Sequence, residues 1–139
     1  MNATREPLMT STSATGSPKH HMDHIKPSTF RDWIRNDPAA RFQPKVGRYH
    51  LYVMYGCPWA HRTIIVRALK GLEHAIDMTA VHYFLDEKIG WTFSSEQPDP
   101  LYGLHGLREL YEMADPNYNG RITVPVLWDK TERTIVNNE

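Results

Sequence analysis

The sequence predicts an α/β sandwich on a mixed sheet, and three observations carry that reading. A strand-like run, "YHLYVM" from Tyr49 to Met54, passes through a tight loop into a helix-like run opening at Pro58. A second strand-like run, Ala75 to His82, follows that helix. A helix between two strands implies a right-handed crossover and a parallel pair. Near the C-terminus, "ITVPVLWD" and "RTIV" are separated by the turn "DKTE", which makes an antiparallel hairpin.

In chain order, residues 1–28 are rich in Ser, Thr, Pro and His with little apolar periodicity, and are expected to be a disordered tail. Within it "KHHMDH" gathers His20, His21, Asp23 and His24. Histidines one turn apart could share a face, but an unfolded stretch leaves ligands unpositioned, so no metal is expected. Residues 29–48 form an N-terminal arm. Its "FRDWI" gives a short helical turn or a packed segment, and two prolines and a glycine then mark a loop. Residues 49–139 are the folded domain. Tyr49–Met54 is aromatic and β-branched, as for a strand covered on both faces. Pro58 suits a first helical position because it needs no amide partner. Ala60, Ile64, Ile65, Ala68 and Leu69 recur at helical spacing, and Gly71 is a stop. The stretch from Tyr83 to Gly103 shows no clean period and reads as a long ordered loop, itself suggestive of function. Leu104, Leu107, Leu110 and Tyr111 then stripe a short amphipathic helix.

The resulting order, β-α-β-α-β-β, is that of a thioredoxin-type domain. Such a sheet needs a helix after its last strand to cover one face. The sequence reaches Glu139 without it, so an incomplete domain with an uncovered face is expected.

With 139 residues the chain is sized for one domain with a modest core. Sixteen basic residues balance sixteen acidic ones, which argues against a nucleic-acid or anionic-membrane partner. The sequence has no long apolar run and no signal-like leader, so cytoplasm is the expected location. A single cysteine excludes an intramolecular disulfide.

That cysteine, Cys57, sits at the strand–helix junction in "GCPWAH". A helix N-terminus presents unpaired amides and the positive end of a dipole, which favours thiolate over thiol. His61 and Arg62 lie one turn on and add positive potential. The competing reading is a structural cysteine filling a corner, and the flanking Gly56 and Pro58 favour function. The third position after Cys57 is Ala60, so any disulfide must involve another molecule, such as a low-molecular-weight thiol. Monothiol chemistry follows: a mixed disulfide forms and an external thiol resolves it. Pro125 opens a strand, and in this fold a cis bond there would turn Val124 toward the cysteine. Val124 would then offer its amide and carbonyl to a peptide-like ligand as an added strand. A plain edge-strand proline is the alternative.

"YHLYVMYGCPWAHRT", "GWTF", "LRELYEMADPNYNGRITVPVLWD" and "TIVNNE" resemble, in order, the N-terminal domain of glutathionyl-hydroquinone reductases, the xi-class, omega-like glutathione transferases. The likeness runs from about Phe30 to Glu139. It implies a glutathione-binding domain in which Cys57 is the catalytic thiolate, attacking the sulfur of a glutathionyl-hydroquinone. Trp91 would pack on the bound peptide, Val124 before Pro125 would pair with its cysteinyl backbone, and Glu139 would hold the γ-glutamyl end. Arg121 would lie near the glycyl carboxylate. Glutathione and glutathionylated quinol-type substrates are the implied partners, with a homodimer in the full-length family. The family's helical C-terminal domain and the serine after Glu139 have no counterpart in this sequence. Two other functions share the cysteine: a general omega-like thioltransferase or dehydroascorbate reductase, and a non-catalytic interaction module using the uncovered face.

Overall fold

The computed structural model describes residues 28–139. The histidine cluster and nearly all of the expected tail lie outside the described residues. The elements are β1 (Tyr49–Val53), α1 (Pro58–Leu69), β2 (Ile76–Ala80), β3 (Leu85–Asp86), β4 (Gly90–Trp91), α2 (Leu107–Ala114), β5 (Val126–Asp129) and β6 (Thr134–Asn137). The main sheet runs β2-β1-β5-β6, parallel between β1 and β2 and antiparallel elsewhere. This is the thioredoxin-like arrangement, with β1 central and buried at all five positions.

Each end of α1 has a local cause. Pro58 follows the N-cap Cys57, whose carbonyl accepts the His61 amide at 2.9 Å and starts the helical ladder. At the other end Gly71 takes φ +61°, its amide bonds the Ala68 carbonyl at 3.0 Å, and the Leu72 amide reaches Arg67 at 2.9 Å. That pair of bonds is a Schellman closure, which needs the left-handed residue that glycine supplies most cheaply.

The two faces of the sheet are packed differently. On one, Leu107, Leu110 and Tyr111 of α2 join Tyr52, Val126, Trp128 and Ile135 in the main core. On the other, α1 buries only Ala60, packed with Leu51, Val53 and Ala80. Ile64 is half-buried, whereas Ile65, Val66, Ala68 and Leu69 are exposed, Leu69 by 80%. The helical spacing of those residues was real, but periodicity does not say whether a face is covered.

Three further details differ from the sequence reading. The loop expected across Tyr83–Gly103 contains the β3–β4 hairpin, with Leu85 opposite Trp91, in strands too short to show a period. The strand expected from Ile122 starts only at Val126, because Pro125 has no amide to donate to a ladder. The face expected to lie bare beyond the last strand is covered in part by the N-terminal arm. Phe42 and Ile34 pack there with Tyr49, Val136 and Leu127. The arm also lies along β6: Arg31 forms an antiparallel bridge with Asn137, and the Asp32 amide bonds the Val136 carbonyl at 3.0 Å. Of the two forms considered for "FRDWI", the structure shows the packed one, and it shields an otherwise open strand edge. Ser28, counted with the tail from sequence, is hydrogen-bonded to Asn138.

Candidate active site

Cys57 stands where β1 hands over to α1, half-exposed, in a turn closed by its own amide on the Met54 carbonyl at 3.0 Å. No acidic residue lies in the first turn of α1. Across from it, the Val124–Pro125 bond is cis, as expected from the strand-opening proline. The Val124 carbonyl lies 3.8 Å from Cys57 Sγ, a long contact for a thiol donor. Val124 precedes β5, so its amide falls outside the ladder, and among the described residues it has no backbone partner. The Cys57 thiol therefore faces the backbone of Val124, a residue only 6% exposed whose amide is left out of the sheet.

The edge is held from behind. Tyr111 of α2, fully buried, donates its hydroxyl to the Thr123 carbonyl at 3.0 Å and accepts from the Thr123 amide at 3.3 Å. Asn138, 4% exposed, donates Nδ2 to the Tyr111 oxygen at 2.9 Å and to Thr123 Oγ1 at 3.2 Å. The Thr123 hydroxyl in turn donates to the Asn138 carbonyl at 3.2 Å. Burial raises the pKa of the Tyr111 hydroxyl, while its bonds to Thr123 and Asn138 pull the other way. These bonds tie the residue before Val124 to the residue before Glu139. Sequence reasoning did not find this network, because Asn138 is of a residue type that is usually exposed.

A second support lies on the other flank. Asp99, 5% exposed, accepts the Tyr52 hydroxyl at 2.7 Å and the amides of Tyr102 at 2.8 Å and Leu104 at 3.2 Å. Burial, followed by the bond to Asp99, pushes the Tyr52 hydroxyl far up from its ordinary value. This carboxylate organises the turn leading into α2. Asp99 lies within the stretch expected to be an ordered loop, where nothing in the sequence marks its carboxylate as buried.

The remaining sequence-derived site residues fall as follows. Trp91 lies in β4, and its side chain packs against the same main core that Cys57 borders. Arg121 is exposed, three residues before Val124, and its carbonyl accepts the Tyr118 hydroxyl at 2.9 Å. Pro125 is buried. Glu139 is exposed, with its amide on Asn137 Oδ1 at 2.9 Å and its carboxylate paired with Arg31. Of the two basic residues after Cys57, Arg62 lies over the Trp59 ring at 5.8 Å, and both it and His61 are exposed. The structure thus brings Cys57 together with Val124 and the cis Pro125, and Trp91 borders the same core cluster. Glu139 is joined to this region only as the residue after Asn138, and Arg121 only as the third residue before Val124.

Two cavities open beside this region. One of about 490 Å³ adjoins Gly56 and is lined by Met54, Tyr55, Val81, His82 and Tyr83. The other, about 410 Å³, lies along β2 with His50, Asp77 and Thr79 in its wall. Cys57 and Val124 line neither. Among the described residues, no helix is long and apolar enough to cross a membrane.

The model of the glutathione S-transferase N-terminal domain matches residues 56–139. A fission-yeast protein, glutathione S-transferase omega-like 2 of Schizosaccharomyces pombe, is 55% identical over 115 residues, covering 81% of this chain and 36% of its own. Glutathionyl-hydroquinone reductase YqjG of Escherichia coli is 49% identical over 122 residues, covering 81% and 37%. Its glutathione-bound structure superposes with a TM-score of 0.73 at 47% identity, over 79% of this chain and 39% of that one. A xi-class transferase structure from Natrialba magadii gives a TM-score of 0.77 at 53% identity, over 81% and 36%. The chain therefore spans little more than a third of the length of these relatives.

Proposed function

The chain belongs to the glutathione S-transferase family through its N-terminal domain, and on that footing we propose that it carries out glutathione-dependent monothiol chemistry at Cys57, of the glutathionyl-hydroquinone reductase kind. The observation that carries the reading is the facing pair: Cys57 at the start of α1 and the free Val124 edge 3.8 Å from its sulfur.

In this reading Cys57 attacks the sulfur of a glutathionyl-hydroquinone. An S–S bond forms to Cys57 as the aryl C–S bond breaks. The electron pair leaves on the aryl carbon, which takes a proton and departs as the hydroquinone. Cys57 is left in mixed disulfide with glutathione. The thiolate of a second glutathione attacks the glutathionyl sulfur, releasing Cys57 as the leaving thiolate and glutathione disulfide as product. The aryl carbon is reduced by two electrons, and the substrate's thioether sulfur and the thiol of one free glutathione are together oxidised to one disulfide. No second protein thiol is required, in accord with the single cysteine.

Val124 would hold the cysteinyl backbone of the tripeptide, as an added strand holds any extended peptide. Glu139 would take the γ-glutamyl ammonium, Trp91 would pack on the peptide and Arg121 would approach the glycyl carboxylate. The test is turnover: the chain is incubated with a glutathionyl-hydroquinone and reduced glutathione, and free hydroquinone and glutathione disulfide are quantified. Equimolar release of both, lost in Cys57→Ser, supports the proposal. Release from dehydroascorbate or a mixed-disulfide substrate alone would point instead to the general thioltransferase reading. Absence of all three would favour a binding module.

A further inference from the structure

The ion pair between Arg31 and Glu139 joins residues 108 positions apart. Its placement follows from the backbone. The arm runs antiparallel to β6, bridged at Arg31 and Asn137 and bonded from the Asp32 amide to the Val136 carbonyl. Ser28 bonds Asn138 from the same side. Arg31 is thereby anchored beside the end of β6, and Glu139 lies two residues past Arg31's bridge partner Asn137.

Both side chains stay about half-exposed, 53% for Arg31 and 55% for Glu139. An exposed pair of this kind adds little to stability. It is also reachable by a ligand, and its neighbour through Asn138 is the Thr123–Val124 edge. A guanidinium and a carboxylate side by side present one charge of each sign. The complementary ligand carries an ammonium and a carboxylate on one carbon, which is an α-amino acid zwitterion.

We propose that Arg31 of the N-terminal arm is a ligand-binding residue that, together with Glu139, recognises the zwitterionic α-amino-acid end of the bound thiol peptide. This rests on the proposed glutathione reading and extends it. Glu139 takes the ammonium, and Arg31 takes the α-carboxylate. The planar guanidinium fork suits a bidentate carboxylate contact, which a lysine ammonium cannot reproduce. Two opposed charges in the free protein become an alternating four-charge array when the ligand is held. The arm is then part of the binding site as well as a cover for the sheet edge.

The test separates the ligand's two charges. In a Cys57→Ser background, which removes covalent capture, calorimetric Kd values are measured for glutathione and for γ-aminobutyryl-cysteinylglycine, which lacks the α-carboxylate. Arg31→Ala is expected to weaken glutathione by about five- to tenfold, a magnitude set by partly exposed charge-assisted contacts. It is expected to leave the decarboxylated analogue unchanged. Arg31→Lys, which keeps the charge and the arm's packing, falls between. Glu139→Gln is expected to weaken glutathione while sparing glutaryl-cysteinylglycine, which lacks the ammonium. Equal weakening of glutathione and the decarboxylated analogue by Arg31→Ala, or no weakening of either, overturns the assignment of Arg31 while leaving glutathione binding intact. No glutathione binding by the Cys57→Ser chain with Arg31 in place would overturn the glutathione reading itself.

Discussion

The two faces of the sheet hold the two halves of the candidate site with very different firmness. On the α2 face, Leu107, Leu110, Tyr111 and Trp128 are wholly buried, and Tyr111 reaches through the core to bond Thr123, next to Val124. On the α1 face the helix that carries Cys57 buries one alanine and leaves Ile65, Val66 and Leu69 in water. The backbone edge that would receive a peptide therefore sits on the densely packed side. Cys57 sits at the start of a helix held to the sheet by little more than Ala60, the half-buried Ile64 and the bond from Arg67 to the Ile76 carbonyl at 2.6 Å.

Mutations that break the packed face should be the most costly. Leu110→Ala removes a fully buried side chain from the main core and is expected to destabilise the chain by about 4 kcal/mol in denaturant unfolding. A cost near that of a surface change would show that the α2 face is not the stronger one.

His50 offers the next-largest effect. It is 2% exposed, on central β1, with Nε2 2.9 Å from Thr79 Oγ1 and its ring 4.7 Å from that of Tyr52. Burial lowers its pKa to about 4, against smaller opposing pulls from Asp77 and Asp99. An unfolded histidine titrates near 6.5, so between those values the unfolded chain binds the extra proton. The stability from His50 is thus complete above about pH 6.5 and lost as pH falls toward 4, in total about 3 kcal/mol. His50→Gln should flatten that segment of the stability–pH curve relative to the parent protein. An unchanged slope would contradict the buried neutral state.

Asp99→Ala is expected to cost about 2 kcal/mol, because it leaves the buried Tyr52 hydroxyl and three turn amides without their acceptor. Tyr52→Phe in the same background should recover part of that loss, and failure to do so would remove Tyr52 from the account. On the α1 face, Leu69→Ala is expected to change stability by no more than about 0.5 kcal/mol, since the side chain is 80% exposed. A large cost there would mean that something covers the helix in solution.

The same contrast explains what could be read from the sequence. The β1–Cys57–α1 junction is encoded locally: an aromatic and β-branched run, a glycine, a proline at the first helical position and a glycine stop. Pro125 marked the cis bond beside Cys57, although the strand was expected to run from Ile122 and starts only at Val126. The Arg31–Glu139 pair was not legible, since its partners come together only when the arm lies along β6. Nor was the Tyr111–Thr123–Asn138 network, for each member looks ordinary alone. The β3–β4 hairpin has two residues per strand, fewer than an alternating pattern needs to be visible. The exposure of Ile65 and Leu69 escaped detection because a helical stripe reports a preference for burial and not what lies opposite it.

The central claim is that Cys57 acts alone, as a monothiol aimed at the sulfur of a peptide held along Val124. Intact-mass analysis after incubation with glutathione disulfide tests it most directly. The account predicts one glutathionyl adduct per chain, removed by reduced glutathione and absent in Cys57→Ser. A chain that takes no adduct, while Cys57 still reacts with a small alkylating reagent, would contradict it.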